Sequence, residues 1–412
     1  MQLNLIIHTS VLEESTHDQA LLNTPESKPV VAHSSPKQVR FAISAFYFMQ
    51  GVCFASWASR IPTFKALMNL NDAELGSILF ALPAGQIMTM FFSAKLTTHF
   101  GSKKMLQATA PMYAIALTFL ALATTGWQLA AFLVLFGITG NLCNIALNTQ
   151  GVAGENYYGK PIMSSFHGAW SIGNLTGALI ALGLVNLKLG MYTHFWIIAA
   201  ISLTNVAFNA KKLLNYNKPD TLAEKTKFFT MPQGILVLLG LIAFCSMATE
   251  GTMFDWSAIY FEDVVKLPHN RAIIGYASFM FMMASGRFLG VYLIGKFGRK
   301  NLLQISGAII SIGMALAVIF PNIFVAIIGF MLIGLGVSSI VPMVYSIAGN
   351  NKKVPAGKAI TMVSSIGYFA FLFGPPLIGY ISQLSSLRYS FGIISVFGLL
   401  ITFVITKIKE IN

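Results

Sequence analysis

Apolar stretches of about twenty residues follow one another along almost the whole chain, and few folds accommodate that pattern. Their approximate spans are 39–59, 75–94, 105–125, 128–150, 162–187, 191–210, 232–260, 272–294, 302–320, 322–347, 358–383 and 388–408. A helix of this length crosses the hydrocarbon core of a bilayer once. An isolated strand there would leave its peptide groups unpaired, so the segments are predicted to be helices. The expectation is an all-α integral membrane protein with twelve transmembrane helices. Composition agrees: 55% of residues are hydrophobic and 10% are charged, whereas a soluble domain carries about 25% charged residues. Mean hydropathy is +0.70.

The net charge of +13 does not indicate nucleic acid, because the basic residues are not gathered on one soluble module. They come in twos and threes between apolar segments, as the positive-inside rule describes. An even number of crossings puts both termini on one side. On that side fall 20 of the 27 Lys and Arg residues, among them Lys103, Lys104, Lys211, Lys212, Arg299, Lys300, Lys352 and Lys353. The opposite side holds six: Arg60, Lys65, Lys188, Lys266, Arg271 and Arg388. Arg287 lies within a segment. Both termini are therefore expected in the cytoplasm and the protein in the inner membrane. Residues 1–37, with Glu13, Glu14, Asp18 and Glu26, have no basic n-region and no long apolar run. They read as a disordered cytoplasmic tail rather than a signal peptide; the alternative is a misplaced start codon. Cys53, Cys143 and Cys245 lie within apolar segments and read as small core residues.

The chain repeats itself. His99-Phe100-Gly101-Ser102-Lys103-Lys104 follows the second segment, and Lys296-Phe297-Gly298-Arg299-Lys300 follows the eighth. Gly101 and Gly298 are 197 residues apart, about half the chain. The same shift carries the first segment onto the seventh and the fourth and fifth onto the tenth and eleventh. A second echo is Phe54-Ala55-Ser56-Trp57 against Phe254-Asp255-Trp256. Parallel six-helix repeats related by a pseudo-twofold axis are an architecture of secondary transporters. Expected domains are a tail (1–37), a first bundle (38–212), a cytoplasmic linker (213–230) and a second bundle (231–412).

These loops resemble the signature loop of the major facilitator superfamily, G-x-x-x-D-[RK]-x-G-[RK]-[RK]. Gly101, Lys103 and Lys104 match in the first copy, and Gly298, Arg299 and Lys300 in the second. Ala94 replaces the first glycine, and Thr98 and Gly295 stand where the acid is expected. The resemblance covers about residues 38–408. Within the superfamily, Phe54-Ala55-Ser56-Trp57-Ala58-Ser59-Arg60-Ile61-Pro62, Phe166-His167-Gly168-Ala169-Trp170-Ser171 and Gly374-Pro375-Pro376-Leu377-Ile378-Gly379 are similar to the group containing the rhizopine-associated membrane protein MosC. The resemblance implies a secondary transporter working as a monomer by alternating access, with a sugar-like or inositol-like solute.

Ionisable groups in hydrocarbon cost about 2.5 kcal/mol or more, so each one needs a reason. Glu250, about 27 Å up the seventh helix from residue 232, is the leading proton-coupling candidate. Asp255 and His167 are the others, Asp255 having the alternative of facing periplasmic water. Arg287 lies about 10–12 Å from the inner end of the eighth helix. That leaves about 15 Å of depth between it and Glu250, so no direct pair is expected. Arg287 is a candidate for binding solute, or else snorkels to the inner gate. Asn141, Asn144 and Asn148 share one helical face, which marks either a cavity or interhelical amide bonding. Trp57, Trp170 and Trp256 are candidate platforms for a sugar ring, and Trp57 and Trp256 could equally belong to an interfacial belt. Gly334, Gly336 and Pro342, and Pro375-Pro376, are expected to bend the tenth and eleventh helices around the site. Solute is then expected between an outer cluster (Trp57, Glu250, Asp255, Trp256) and an inner one (Asn141, Asn144, His167, Arg287).

No P-loop pattern occurs, which argues against ATP drive. No Ser-His-Asp set, metal-ligand spacing or cofactor loop can be assembled, so neither an enzyme nor a cofactor or metal is expected. A proton-driven exporter of drugs or amphiphiles is the alternative. In the superfamily such exporters usually carry a Gly-rich, Pro-containing fifth helix; here that helix has no Pro after Pro161. A sensor is disfavoured because no soluble signalling domain is present.

Overall fold

The computed structural model describes residues 34–160, 162–215, 234–351 and 354–408. Fourteen α-helices are found among them. The first bundle holds α1 (Pro36–Ala58), α2 (Ile61–Leu67), α3 (Asp72–Leu79), α4 (Ala81–Phe100), α5 (Ser102–Leu120), α6 (Gly126–Tyr158), α7 (Met163–Asn186) and α8 (Met191–Asn209). The second holds α9 (Ile235–Asp263), α10 (Ile274–Phe297), α11 (Arg299–Ile319), α12 (Ile323–Gly349), α13 (Ala356–Leu384) and α14 (Leu387–Lys407). By length and composition ten spans among the described residues can each cross a membrane, or eleven if the bent pair Asp72–Met90 and Phe92–Phe100 is one span. The remaining crossing is α5, whose 19 residues suffice in length but whose polar Lys103, Lys104 and Gln107 dilute its hydropathy. It packs against α6 and α8. Most of the expected tail and linker, along with Lys352 and Lys353, lies outside the described residues. Ser35 and Pro36 already belong to the first helix as N-cap and first residue. Leu214 is buried and receives a hydrogen bond from Gln150 (Nε2 to the carbonyl, 2.8 Å).

Local chemistry explains the repeated boundaries. Thr125 caps α6 by accepting from the Gln128 amide, and Asn322 caps α12 by accepting from the Val325 amide. Both pairs are related by the shift of 197. Gly101 (φ 84°) and Gly298 (φ 73°) end α4 and α10 in the region that favours glycine. Lys103 donates to the Lys211 carbonyl (3.2 Å) and Lys300 to the Ile408 carbonyl (3.0 Å), again displaced by 197. Lys103 and Lys300 thus each cap the end of their half's last long helix, where the negative end of the dipole welcomes a cation.

Packing repeats as faithfully. A side chain on Gly137 would meet the Leu82 carbonyl at 2.2 Å, and one on Gly334 the Phe279 carbonyl at 2.2 Å. Both the glycines and the carbonyls are 197 apart, so α4·α6 and α10·α12 are the same backbone-to-backbone crossing. Gly334 and Gly336, expected to bend their helix, let neighbouring helices touch, and α12 stays helical through Pro342. In the same way α1 packs on α7 as α9 packs on α13. The halves meet where α3 crosses α13 and where α7 crosses α10. The surface is inside-out relative to a soluble protein: Trp127, Phe208, Phe324 and Phe403 are exposed, while Ser171, Asn174 and Gln150 are buried. Such an exterior suits lipid.

Hydrogen bonds that join the halves gather at mid-depth and on the side opposite the chain ends. Mid-depth ones run from Arg287 to Ser171 (2.6 Å) and from the Tyr276 hydroxyl to Asn174 Oδ1 (2.9 Å). On the far side they include Thr63 to His269 (3.1 Å), Asn270 to Asn186 (2.8 Å), Lys65 to Asp263 (2.6 Å) and Ser382 to Asp72. The structure is therefore closed on the far side.

Candidate functional site: a cavity between the two halves

A cavity of about 540 Å³ lies between the halves. Its walls come from α1 (Tyr47, Gln50, Phe54, Trp57), α4 (Gln86, Met90), α6 (Asn141, Asn144) and α7 (His167, Trp170) on one side. On the other they come from α9 (Glu250, Phe254, Asp255), α10 (Arg287), α12 (Val341) and α13 (Thr361, Ser364, Ser365, Tyr368, Phe371).

Arg287 stands at the centre. Its Nη1 donates to Ser171 Oγ at 2.6 Å, its Nη2 lies 3.5 Å from Glu250 Oε1, and its guanidinium sits 5.4 Å from the Trp170 ring centroid. It thus ties a hydroxyl and a ring of the first half to a carboxylate of the second. The expectation that Glu250 and Arg287 are too far apart is overturned. The seventh helix begins at Ile235 rather than 232, and the eighth ends at Phe297 rather than 294. Glu250 is then about 22 Å and Arg287 about 15 Å from their helix ends, a gap an Arg side chain spans. A guanidinium shared between a hydroxyl and a carboxylate is also satisfied without reaching the interface, so Arg287 does not snorkel.

Asp255 lines the cavity without a hydrogen-bond or ion-pair partner among the described residues. Near it the rings of Phe54, Trp170 and Phe254 pack edge-on or tilted, with centroids 5.2–6.2 Å apart. His167 meets Tyr47 edge-on at 5.4 Å. Asn141 lines the wall but spends its amide on Thr89 and Ser93, both at 3.0 Å, joining α6 to α4. Asn148 does not reach the lining: it accepts from the Tyr47 hydroxyl (2.7 Å) and donates to Asn144 Oδ1 (3.1 Å). Trp256 is fully buried away from the cavity, and Trp57 is buried but lines it. Neither forms an interfacial belt. Phe254, not Trp256, is the repeat mate of Trp57. The signature-loop residues Gly101, Lys103, Lys104, Gly298, Arg299 and Lys300 sit on the side of the chain ends, outside the lining.

Sequence reasoning missed Tyr47, Gln50, Gln86, Ser171, Thr361, Ser364, Ser365 and Tyr368, which are ordinary residues in a membrane helix. The repeat held a signal for some of them. Shifted by 197, His167 becomes Ser364, Ser171 becomes Tyr368, Asn144 becomes Val341, and Arg287 maps back onto Met90; all four images line the cavity.

The family model of the major facilitator superfamily matches residues 43–352 and 269–410. The chain belongs to the major facilitator superfamily. An uncharacterized MFS-type transporter of Yersinia pestis is 33% identical over 354 residues, covering 85% of this chain and 90% of that protein. Membrane protein MosC of Rhizobium meliloti is 30% identical over 355 residues, covering 85% and 86%. Among solved structures, a variant of the nucleoside transporter NupG superposes with a TM-score of 0.74 over 90% of this chain and all of that one, at 13% identity. A D-xylose-proton symporter superposes at 0.73 over 92% and 98%, also at 13% identity. At such identities the superpositions speak for the fold. The chain is a multi-pass membrane transporter of this superfamily and not an enzyme.

Proposed function

We propose that this protein is a proton-coupled secondary transporter for a small polar, sugar-like or inositol-like solute, working as a monomer in the inner membrane with both termini in the cytoplasm. The observation that carries the reading is Arg287, held between Ser171 of one half and Glu250 of the other on the wall of a single cavity. A group that contacts both halves can report to one what is bound by the other. The basic residues on the side of the chain ends favour the cytoplasmic assignment, so the structure is read as closed to the periplasm. The bundles are taken as 38–212 and 231–412, joined by residues 213–230, with the first helix reaching back to Pro36. Cavity hydroxyls and amides, with aromatic rings beside them, suit a polyol with a C–H face. One neighbour in fold is named as a D-xylose-proton symporter, which supports the solute class and the coupling ion.

The test is uptake into proteoliposomes of radiolabelled D-xylose, D-glucose and myo-inositol driven by an inward proton gradient. Accumulation of at least one, abolished by a proton ionophore, is expected. Glu250→Gln is expected to lose gradient-driven accumulation while retaining solute exchange; normal accumulation by this variant would sink the coupling role. The apolar part of the wall (Phe54, Trp57, Phe136, Phe254, Phe371) keeps a second reading open, an exporter of amphiphiles. Proton-driven efflux of a lipophilic dye with no sugar uptake would favour it.

A further inference from the structure

Lys65, on the short helix α2 of the first half, is the only cation of its helix, and its ammonium holds two carboxylates at once. Asp72 Oδ1 of α3 is 2.7 Å away and Asp263 Oδ2 at the end of α9 is 2.6 Å away. Asp72 belongs to the same half as Lys65 and Asp263 to the other. Asp72 is itself at the crossing with α13. Its carboxylate accepts from the Ser382 hydroxyl, and its amide donates to Gln383 Oε1 at 3.2 Å. The backbones touch there: a side chain on Gly379 would meet the Asp72 carbonyl at 2.4 Å, and one on Gly76 the Pro375 carbonyl at 2.6 Å. Beside this, Glu262 Oε2 pairs with His269 Nδ1 (3.0 Å), whose Nε2 meets Thr63 of α2 (3.1 Å).

We propose that Lys65 is the latch of the periplasmic gate, joining α2 and α3 of the first half to the end of α9. This rests on the alternating-access reading above. The layout explains how the gate can be firm and still open. On opening, Lys65 gives up Asp263 but keeps Asp72, which moves with it, so the ammonium is never left without a counterion. Asp263, with its side chain 44% exposed, passes to water, whereas Lys65 and Asp72 are only 20% and 17% exposed. The cost of opening is then one half-solvated ion pair, with the polar bonds at Ser382, Gln383 and His269 released alongside. A pair this close to water is also weakened by salt.

The test reads gate opening directly and needs no solute. Spin labels are placed at Leu67→Cys and Leu384→Cys, both exposed on the far side and in different halves. Cys53, Cys143 and Cys245 are buried and are replaced by Ala should they label. Distances are measured by pulsed electron resonance in nanodiscs. Lys65→Gln and, separately, Asp263→Asn are expected to move the distribution toward longer distances, and the charge swap Lys65→Asp with Asp263→Lys to restore the short one. Raising KCl on the labelled pair with the latch intact is expected to shift it the same way, a result that needs no substitution at Lys65 or Asp263. A distribution unchanged by Lys65→Gln, Asp263→Asn and salt would overturn the latch. Transport would still be judged separately by proteoliposome uptake, so the two readings fail independently.

Discussion

At the scale of single residues, the cavity is organised by one guanidinium rather than by several independent charges. Arg287 offers a planar fork of donors, and the structure uses it on a hydroxyl, a carboxylate and an aromatic face together. Lysine presents a point charge and cannot serve all three. Arg287→Lys is accordingly expected to fold normally but to lower the initial rate of proton-driven uptake by tenfold or more, as measured with whichever sugar the uptake panel identifies. Arg287 and Glu250 were legible as costly residues inside helices. Their pairing was not, because shifting each helix end by three residues moves side chains by about 4.5 Å in depth, and the two shifts run in opposite senses. Asn141 shows the opposite case. It was visible as an amide face, yet only the neighbouring helix reveals that Thr89 and Ser93 consume its donors.

At the scale of elements, the repeat is a repeat of contacts. Gly137 against Leu82 and Gly334 against Phe279 are the same close crossing made twice. Gly137→Ala and Gly334→Ala are each expected to force the helices apart and to destabilise the protein by about 1–3 kcal/mol, by similar amounts in the two halves. Thermal unfolding in detergent, followed by fluorescence-detected size exclusion, checks this; a large effect in one half alone would contradict the equivalence. The lysine caps are the milder pair. Lys103→Met and Lys300→Met are each expected to cost about 0.3–1 kcal/mol, read as small, matching losses in the same assay. Here Thr98 and Gly295 stand where the family pattern has an acid, and the lysines spend their donors on helix ends instead.

At the scale of the whole molecule, the two bundles meet at α3–α13 and α7–α10, the same interface seen from the two halves. Closure on the far side depends on polar groups at those crossings and on Lys65. The closed state is expected to be the resting one in the absence of solute and gradient. Cysteine introduced at the cavity position Gln50 should react slowly with a membrane-impermeant thiol reagent added from the far side. It should react at least tenfold faster when Lys65→Gln is added. Rapid labelling without that change would mean the far side rests open.

Hydropathy and basic-residue asymmetry, two sums over the chain, were enough to dictate a polytopic helical protein and to point to an orientation. They work because lipid imposes one rule on every exposed residue. The 197-residue offset then fixed a twofold design, since duplicated backbones must bury duplicated surfaces. Which polar residues share the cavity, and which are spent on neighbouring helices, was decided only by tertiary structure. Rotation and depth of each helix are set by packing against the others, and one turn of difference turns a wall residue into a buried one.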